Sequence, residues 1–163
     1  MALVKGGKRV ENAFVSVRDA ADLPADGAVI VPLDLWQSKR DALLARGEPL
    51  GVRLASDEHP ESIRDDVDDF QVIALEFPTF RDGRAYSYAR LLRERYGFEG
   101  ELRAVGDVLL EQLHYMDRVG FDAFEIPAES AVDDWVTACN DLQVWYQPTN
   151  DGRDTAMDRR RRG

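Results

Sequence analysis

The stretch that decides the fold is FQVIALEFPTFRDGRAYSYARLLRERYGFEGELRAV, residues 70–105. Its first eight residues form a near-continuous apolar run, the pattern of a strand buried on both faces. From Arg84 the pattern changes to a helical one, with Ala85, Tyr88, Ala89, Leu92 and Tyr96 on one stripe. Gly97 can take the left-handed position that ends a helix, and Phe98 can pack back on it. The run ELRAV (101–105) then reads as a second strand. The unit is strand, helix, glycine stop, strand.

The unit recurs outward along the chain. RVGFDAFE (118–125) echoes RYGFEGE (95–101), and GDVLLEQLHYMDRVG leads into the strand FDAFEI (121–126). PAESAVDDWVTACNDL follows as a helix, with Ser130 and Asp133 at capping-box spacing. Upstream, AVIVPL (28–33) precedes the helix LWQSKRDALLARG, for which Asp34 can cap, Gln37 complete a box and Gly47 stop. LGVRLAS (50–56) follows, then a short acidic helix beginning at Pro60. ALVKGGKRVENAFVSV reads as a hairpin turning at Gly6-Gly7, and Arg18 to Gly27 as a loop. About five alternations imply an α/β fold: an open parallel sheet of about five strands with flanking helices, preceded by a β-hairpin (1–17). A flavodoxin-like strand order is the first choice and a partial barrel the second. The expected organisation is one domain over residues 1–150 and a disordered, arginine-rich tail over 151–163.

Bulk composition narrows the classes of function. With 44% apolar and 32% charged residues, the chain suits a soluble globular protein rather than a disordered one. No apolar run reaches membrane-spanning length and MALVKGGKRV lacks a signal core, so a cytoplasmic protein with no membrane partner is expected. One cysteine (Cys139) and two histidines (His59 and His114) allow no internal disulfide and argue against a Cys/His metal site or iron–sulfur cluster. No intrinsic cofactor is evident. The formal charge is −10; the tail carries five arginines against three aspartates, which leaves the body at −12. Such a body repels nucleic-acid phosphates.

In open parallel sheets, ligands gather beyond the carboxyl ends of the strands. That rule selects Asp34, Ser56, Phe80 to Arg84, Gly106, Asp107 and Pro127 to Ser130. Two arginines beside a helix start, where backbone amides already present positive partial charge, suggest an anion site. In that reading Asp82 caps the helix, Gly83 lets backbone approach the ligand, and Arg81 and Arg84 donate planar forks. The alternative is an ordinary latch in which Asp82 pairs with the arginines, while Arg90, Arg93 and Arg95 form a solvated face. Glu76, Arg103 and Glu125 sit inside apparent strands and should be buried and paired, as a structural network or as part of a site. His114 and Cys139 read as packed helix residues, and His59 has no evident partner. None of the dinucleotide, phosphate-loop, nucleophile-elbow or metal-ligand motifs is present.

The string FPTFRDGRAYSYARLLRERYGFEGELRAVGDVLLEQL, followed by RVGFDAFEI, resembles a bacterial family of uncharacterised proteins described as oxidoreductases involved in sulfite reduction. The similarity extends weakly back through VIVPLDLW and LGVRLASDEHP. The resemblance implies a role in assimilatory sulfur metabolism, alongside sulfite reductase or another protein of that pathway. It also draws attention to Arg81, Asp82, Gly83, Arg84, Arg103 and Asp107 as an oxyanion-binding group, with sulfite the favoured ligand. Two functions are compatible with it: an accessory that binds a small oxyanion, or an oxidoreductase that acts on sulfite with a cofactor or electrons from a partner.

Overall fold

A computed structural model describes residues 1–127, 145–146, 148–149 and 151–162. Eight strands form one sheet: β1 (Ala2–Lys5), β2 (Lys8–Val10), β3 (Val15–Ser16), β4 (Val29–Pro32), β5 (Leu50–Leu54), β6 (Val72–Phe77), β7 (Glu101–Gly106) and β8 (Ala123–Ile126). Among the described residues the α-helices are α1 (Leu33–Ala45), α2 (Arg84–Arg90), α3 (Leu110–Val119) and α4 (Ala156–Arg162). A π-helical turn, Leu91–Arg95, continues α2, and a 3-10 segment, Pro60–Asp69, joins β5 to β6.

The strand order is β2-β1-β8-β7-β6-β5-β4-β3. From β3 to β8 the strands are parallel and lie in chain order, without the reversal that a flavodoxin-like sheet requires. The partial barrel is therefore the correct alternative, and the sheet has more strands than the five expected. Three additional strands come from the N-terminal segment. β1 and β2 form the expected hairpin, turning at Gly6 (φ +56°) and Gly7 (φ +75°), and β1 pairs antiparallel with β8. β3 leaves that hairpin and joins the opposite edge, beside β4.

That connection forces the sheet to curl. Only Glu11 to Phe14 join β2 to β3, and five Cα steps reach at most about 19 Å. Seven strand spacings laid flat would separate the edges by about 34 Å. The sheet closes into a half-barrel with residues 11–14 as a strap across its concave side.

Alternation along the strands divides the side chains. Val29, Val31, Val52, Leu54, Ile73, Leu75, Phe77, Leu102, Ala104 and Phe124 face the helices and join one large core with Trp36, Leu43, Ile63, Leu92 and Met116. A smaller cluster of Ile30, Val72, Ala74 and Val105 faces the other way, with Phe14 of the strap packed on it. Both glycine stops form as read. Gly97 (φ +68°) and Gly120 (φ +111°) end their helices, and the amides of Phe98 and Phe121 donate back to Leu92 and Met116.

In the tail, α4 forms over Ala156–Arg162. Asp158 accepts from the amide (3.0 Å) and hydroxyl (2.6 Å) of Thr155, whose hydroxyl accepts from the Asp158 amide (3.2 Å). This reciprocal cap satisfies the first-turn donors. Ser130, Asp133 and Cys139 lie outside the described residues. Among the described residues, no helix is long and apolar enough to cross a membrane.

Candidate functional site

The arginine loop lies where the sequence placed it, beyond the carboxyl end of β6. Its backbone is pinned to the next strand end: the Asp107 amide donates to Phe77 O (2.7 Å), and Asp107 Oδ2 accepts from the Phe80 amide (2.9 Å). Gly106 makes this approach possible. Its φ is +94°, and a Cβ there would lie 2.4 Å from Phe77 O.

Within the loop, Asp82 accepts from Arg84 three times: from the amide (3.2 Å), from Nε (3.0 Å) and from Nη2 (2.6 Å). Arg84 Nη2 also donates to Ser56 Oγ (2.9 Å), just past the end of β5. Tyr88 adds a bond from its hydroxyl to Ser56 O (3.1 Å). Hydrogen bonds from Arg84 and Ser56 hold the Asp82 carboxyl far below the ordinary aspartate range. Arg84 is thus part of a latch. Gly83 is the residue before α2, with φ −92°, and a Cβ there would meet only the Tyr86 ring at 3.7 Å. Glycine is not required at that position. Arg81 is exposed and makes no hydrogen bond or ion pair among the described residues.

Arg103 does not join this loop. It points into the concave side of the sheet, 1% exposed, and pairs with Glu101 (2.7 Å) and Glu125 (3.0 Å). Asn12 of the strap accepts from its Nη1 (3.1 Å), and the Phe14 ring lies 5.9 Å from its guanidinium carbon. Lys5 reaches the other oxygen of Glu101 (3.1 Å). Two cations meet two carboxylates, so the group is formally neutral. Arg103 is buried and Glu125, its partner, is partly so. Glu76 belongs elsewhere: it faces Arg53 of β5 at 4.0 Å, and both are about a third exposed, at 35% and 39%. The six residues proposed as one oxyanion group therefore fall into two places, with Arg103 buried in its own network. Asp107 serves the loop backbone, as described above.

Arg93 is another departure. Rather than lying on a solvated face, it donates to Phe98 O (2.6 Å), Gly100 O (2.8 Å), Gly120 O (3.0 Å) and Asp122 (3.0 Å). It ties together the two echoed glycine–phenylalanine turns and the starts of β7 and β8. Burial pushes the Asp122 carboxyl up, with Arg93 pulling it back. The remaining residues behave more plainly. Asp34 accepts from the Leu35 amide (2.8 Å) inside the first turn of α1. His59 does have partners, accepting from the Glu61 amide (3.1 Å) and meeting the Tyr88 ring edge-on. His114 stacks on Trp145 at 4.3 Å. In the acidic segment, Asp66 and Asp69 bind Arg40 of α1, and Asp66 also takes the Trp36 indole N–H.

Sequence reasoning missed Glu101, Lys5, Asn12, Phe14 and Arg53. Only the two-residue period could have signalled Glu101 and Arg53, since it places them on the face opposite Leu102 and Val52. Asn12 meets Arg103 across 91 positions, which no local pattern reveals.

These features define a class: an α/β half-barrel with a charged concave face and a pinned, arginine-bearing loop at its carboxyl rim. The chain belongs to DUF934, a family of bacterial proteins of unknown function, matched over residues 51–157. The matched region contains the loop, the Arg103 network apart from Lys5, Asn12 and Phe14, and the Arg53–Glu76 pair. Comparison with curated proteins finds no match.

Proposed function

We propose that the protein acts in assimilatory sulfur metabolism as an accessory of sulfite reduction that binds a small oxyanion at the carboxyl rim of its half-barrel. One observation carries the site: Arg81 projects, without an internal partner among the described residues, from a loop held on both sides. The loop is fixed by Asp107 on one flank and by the Asp82–Arg84–Ser56 latch on the other. A guanidinium held in this way binds an oxyanion with less ordering cost than a mobile one. Its planar fork matches two oxygens of sulfite, sulfate or phosphate. Arg84 and Asp82 position the loop rather than contact the ligand, and Arg103 takes no part.

The pathway assignment rests on the resemblance of residues 77–126 to proteins associated with sulfite reduction, and sulfite is the ligand it favours. The sulfur-metabolism partner expected is sulfite reductase or another protein that handles the same anion. Calorimetric titration of sulfite, sulfate and phosphate tests the reading. Wild type should bind sulfite with a dissociation constant at or below about 1 mM. Arg81→Ala should weaken it by about 1.5–3 kcal/mol, the range for hydrogen bonds to charged groups. No heat at about 10 mM sulfite, or equal binding by the variant, removes the site.

A further inference from the structure

The concave side of the half-barrel holds a second pair of charges whose situation differs from that of every residue in the Arg103 network. Arg53 and Glu76 occupy adjacent parallel strands, on the face opposite the main core. Arg53 stands in register with Pro32 and Ala74, and Glu76 with Val105. Both lie toward the carboxyl ends of their strands, the end at which parallel half-barrels and barrels collect their ligands.

Their hydrogen-bonding capacity is unspent. Arg53 Nε and Glu76 Oε2 are 4.0 Å apart, beyond hydrogen-bond distance, and neither side chain makes a hydrogen bond among the described residues. Arg103, by contrast, has its guanidinium engaged by two carboxylates and an amide oxygen. Ala74 and Pro32 beside Arg53 contribute little bulk, so its fork is not walled in. A guanidinium and a carboxylate therefore stand side by side, each about a third exposed, with opposite charges and no hydrogen bond among the described residues.

From this arrangement we infer that Arg53 and Glu76 form a binding site for a small zwitterion of the α-amino-acid class. The ligand carboxylate accepts two parallel hydrogen bonds from Arg53, and its ammonium donates to Glu76. A simple anion gains the first contact but meets repulsion from Glu76, and a simple cation is repelled by Arg53. Discrimination comes from this paired repulsion as much as from attraction. The site does not use Arg81 and stands or falls independently of the oxyanion reading.

Titration of the folded full-length chain with glycine and L-alanine, followed by calorimetry and amide chemical shifts, tests the inference. Acetate and methylammonium serve as the singly charged controls. Glycine should bind saturably and at least about tenfold more tightly than either control. Arg53→Met and Glu76→Gln should each weaken it by at least about tenfold, and Arg81→Ala should leave it unchanged. Both substituted positions are partly exposed, and circular dichroism checks that the variants keep the fold. No binding of either amino acid at about 10 mM overturns the site. So does binding that survives both substitutions, or acetate binding as tight as glycine, which would make the pair a plain anion site.

Discussion

Replacing Arg103 with methionine isolates what the buried network contributes. The substitution keeps an unbranched stem, though a shorter one, and removes the charge shared by Glu101 and Glu125, whose side chains are 14% and 20% exposed. Those two carboxylates are then left in the concave interior with only Lys5, which is itself 46% exposed, beside Glu101. Breaking a buried ion pair on one side costs about 3–5 kcal/mol. For a chain of this size each kcal/mol lowers Tm by about 2–4 °C, so the expected fall is about 6–20 °C. Thermal unfolding followed by circular dichroism measures it. A companion variant, Arg103→Met with Glu101→Leu and Glu125→Leu, removes the stranded charges and should recover most of the loss, because an apolar replacement of a whole buried ionic group is often neutral. A fall below about 2 °C for the single variant would show that water or rearrangement already compensates the carboxylates, and the network argument would fail.

Two other outcomes follow from the loop. Gly106→Ala forces a side chain into a left-handed backbone and against Phe77 O, and should cost at least about 2 kcal/mol in urea unfolding. Gly83→Ala should stay within about 0.5 kcal/mol, since its backbone is ordinary and space is open; an equal loss at both positions contradicts the geometry. Asp82 has a depressed folded pKa, so its latch contributes fully above the ordinary aspartate value of about 3.9 and is lost only as pH falls toward the lower folded value. A carboxyl-carbon NMR titration should find Asp82 ionised well below the other aspartates, and titration in the ordinary range would dissolve the latch.

Local pattern revealed the repeating unit because each part has a local cause. Strand periodicity placed β6, β7 and β8 side by side, and Gly97 and Gly120 ended their helices as expected. The cost of burying a lone charge is the physical reason that Arg103 is paired, with Glu101 and Glu125. Strand order was not legible, because the same alternation of strand and helix serves a reversing sheet and a sequential one. The curl was hidden for a related reason: it depends on a two-residue strand, β3, that pairs at the far edge from its own hairpin. In the loop, the sequence showed two arginines beside a helix start but could not show that Asp82 pairs with Arg84 and not with Arg81. Ser56 and Asp107 settle that, and both come from other strand ends.

The central claim is that Arg81, held on its pinned loop, receives a small oxyanion. Amide chemical-shift mapping during a sulfite titration of the labelled full-length protein addresses it most directly. The account predicts saturable shifts confined to the amides of residues 79–84 and 106–109, abolished by Arg81→Ala, while the strand amides around Arg103 stay fixed. Shifts centred on the Arg103 strands, or no shift at about 10 mM sulfite, would contradict it.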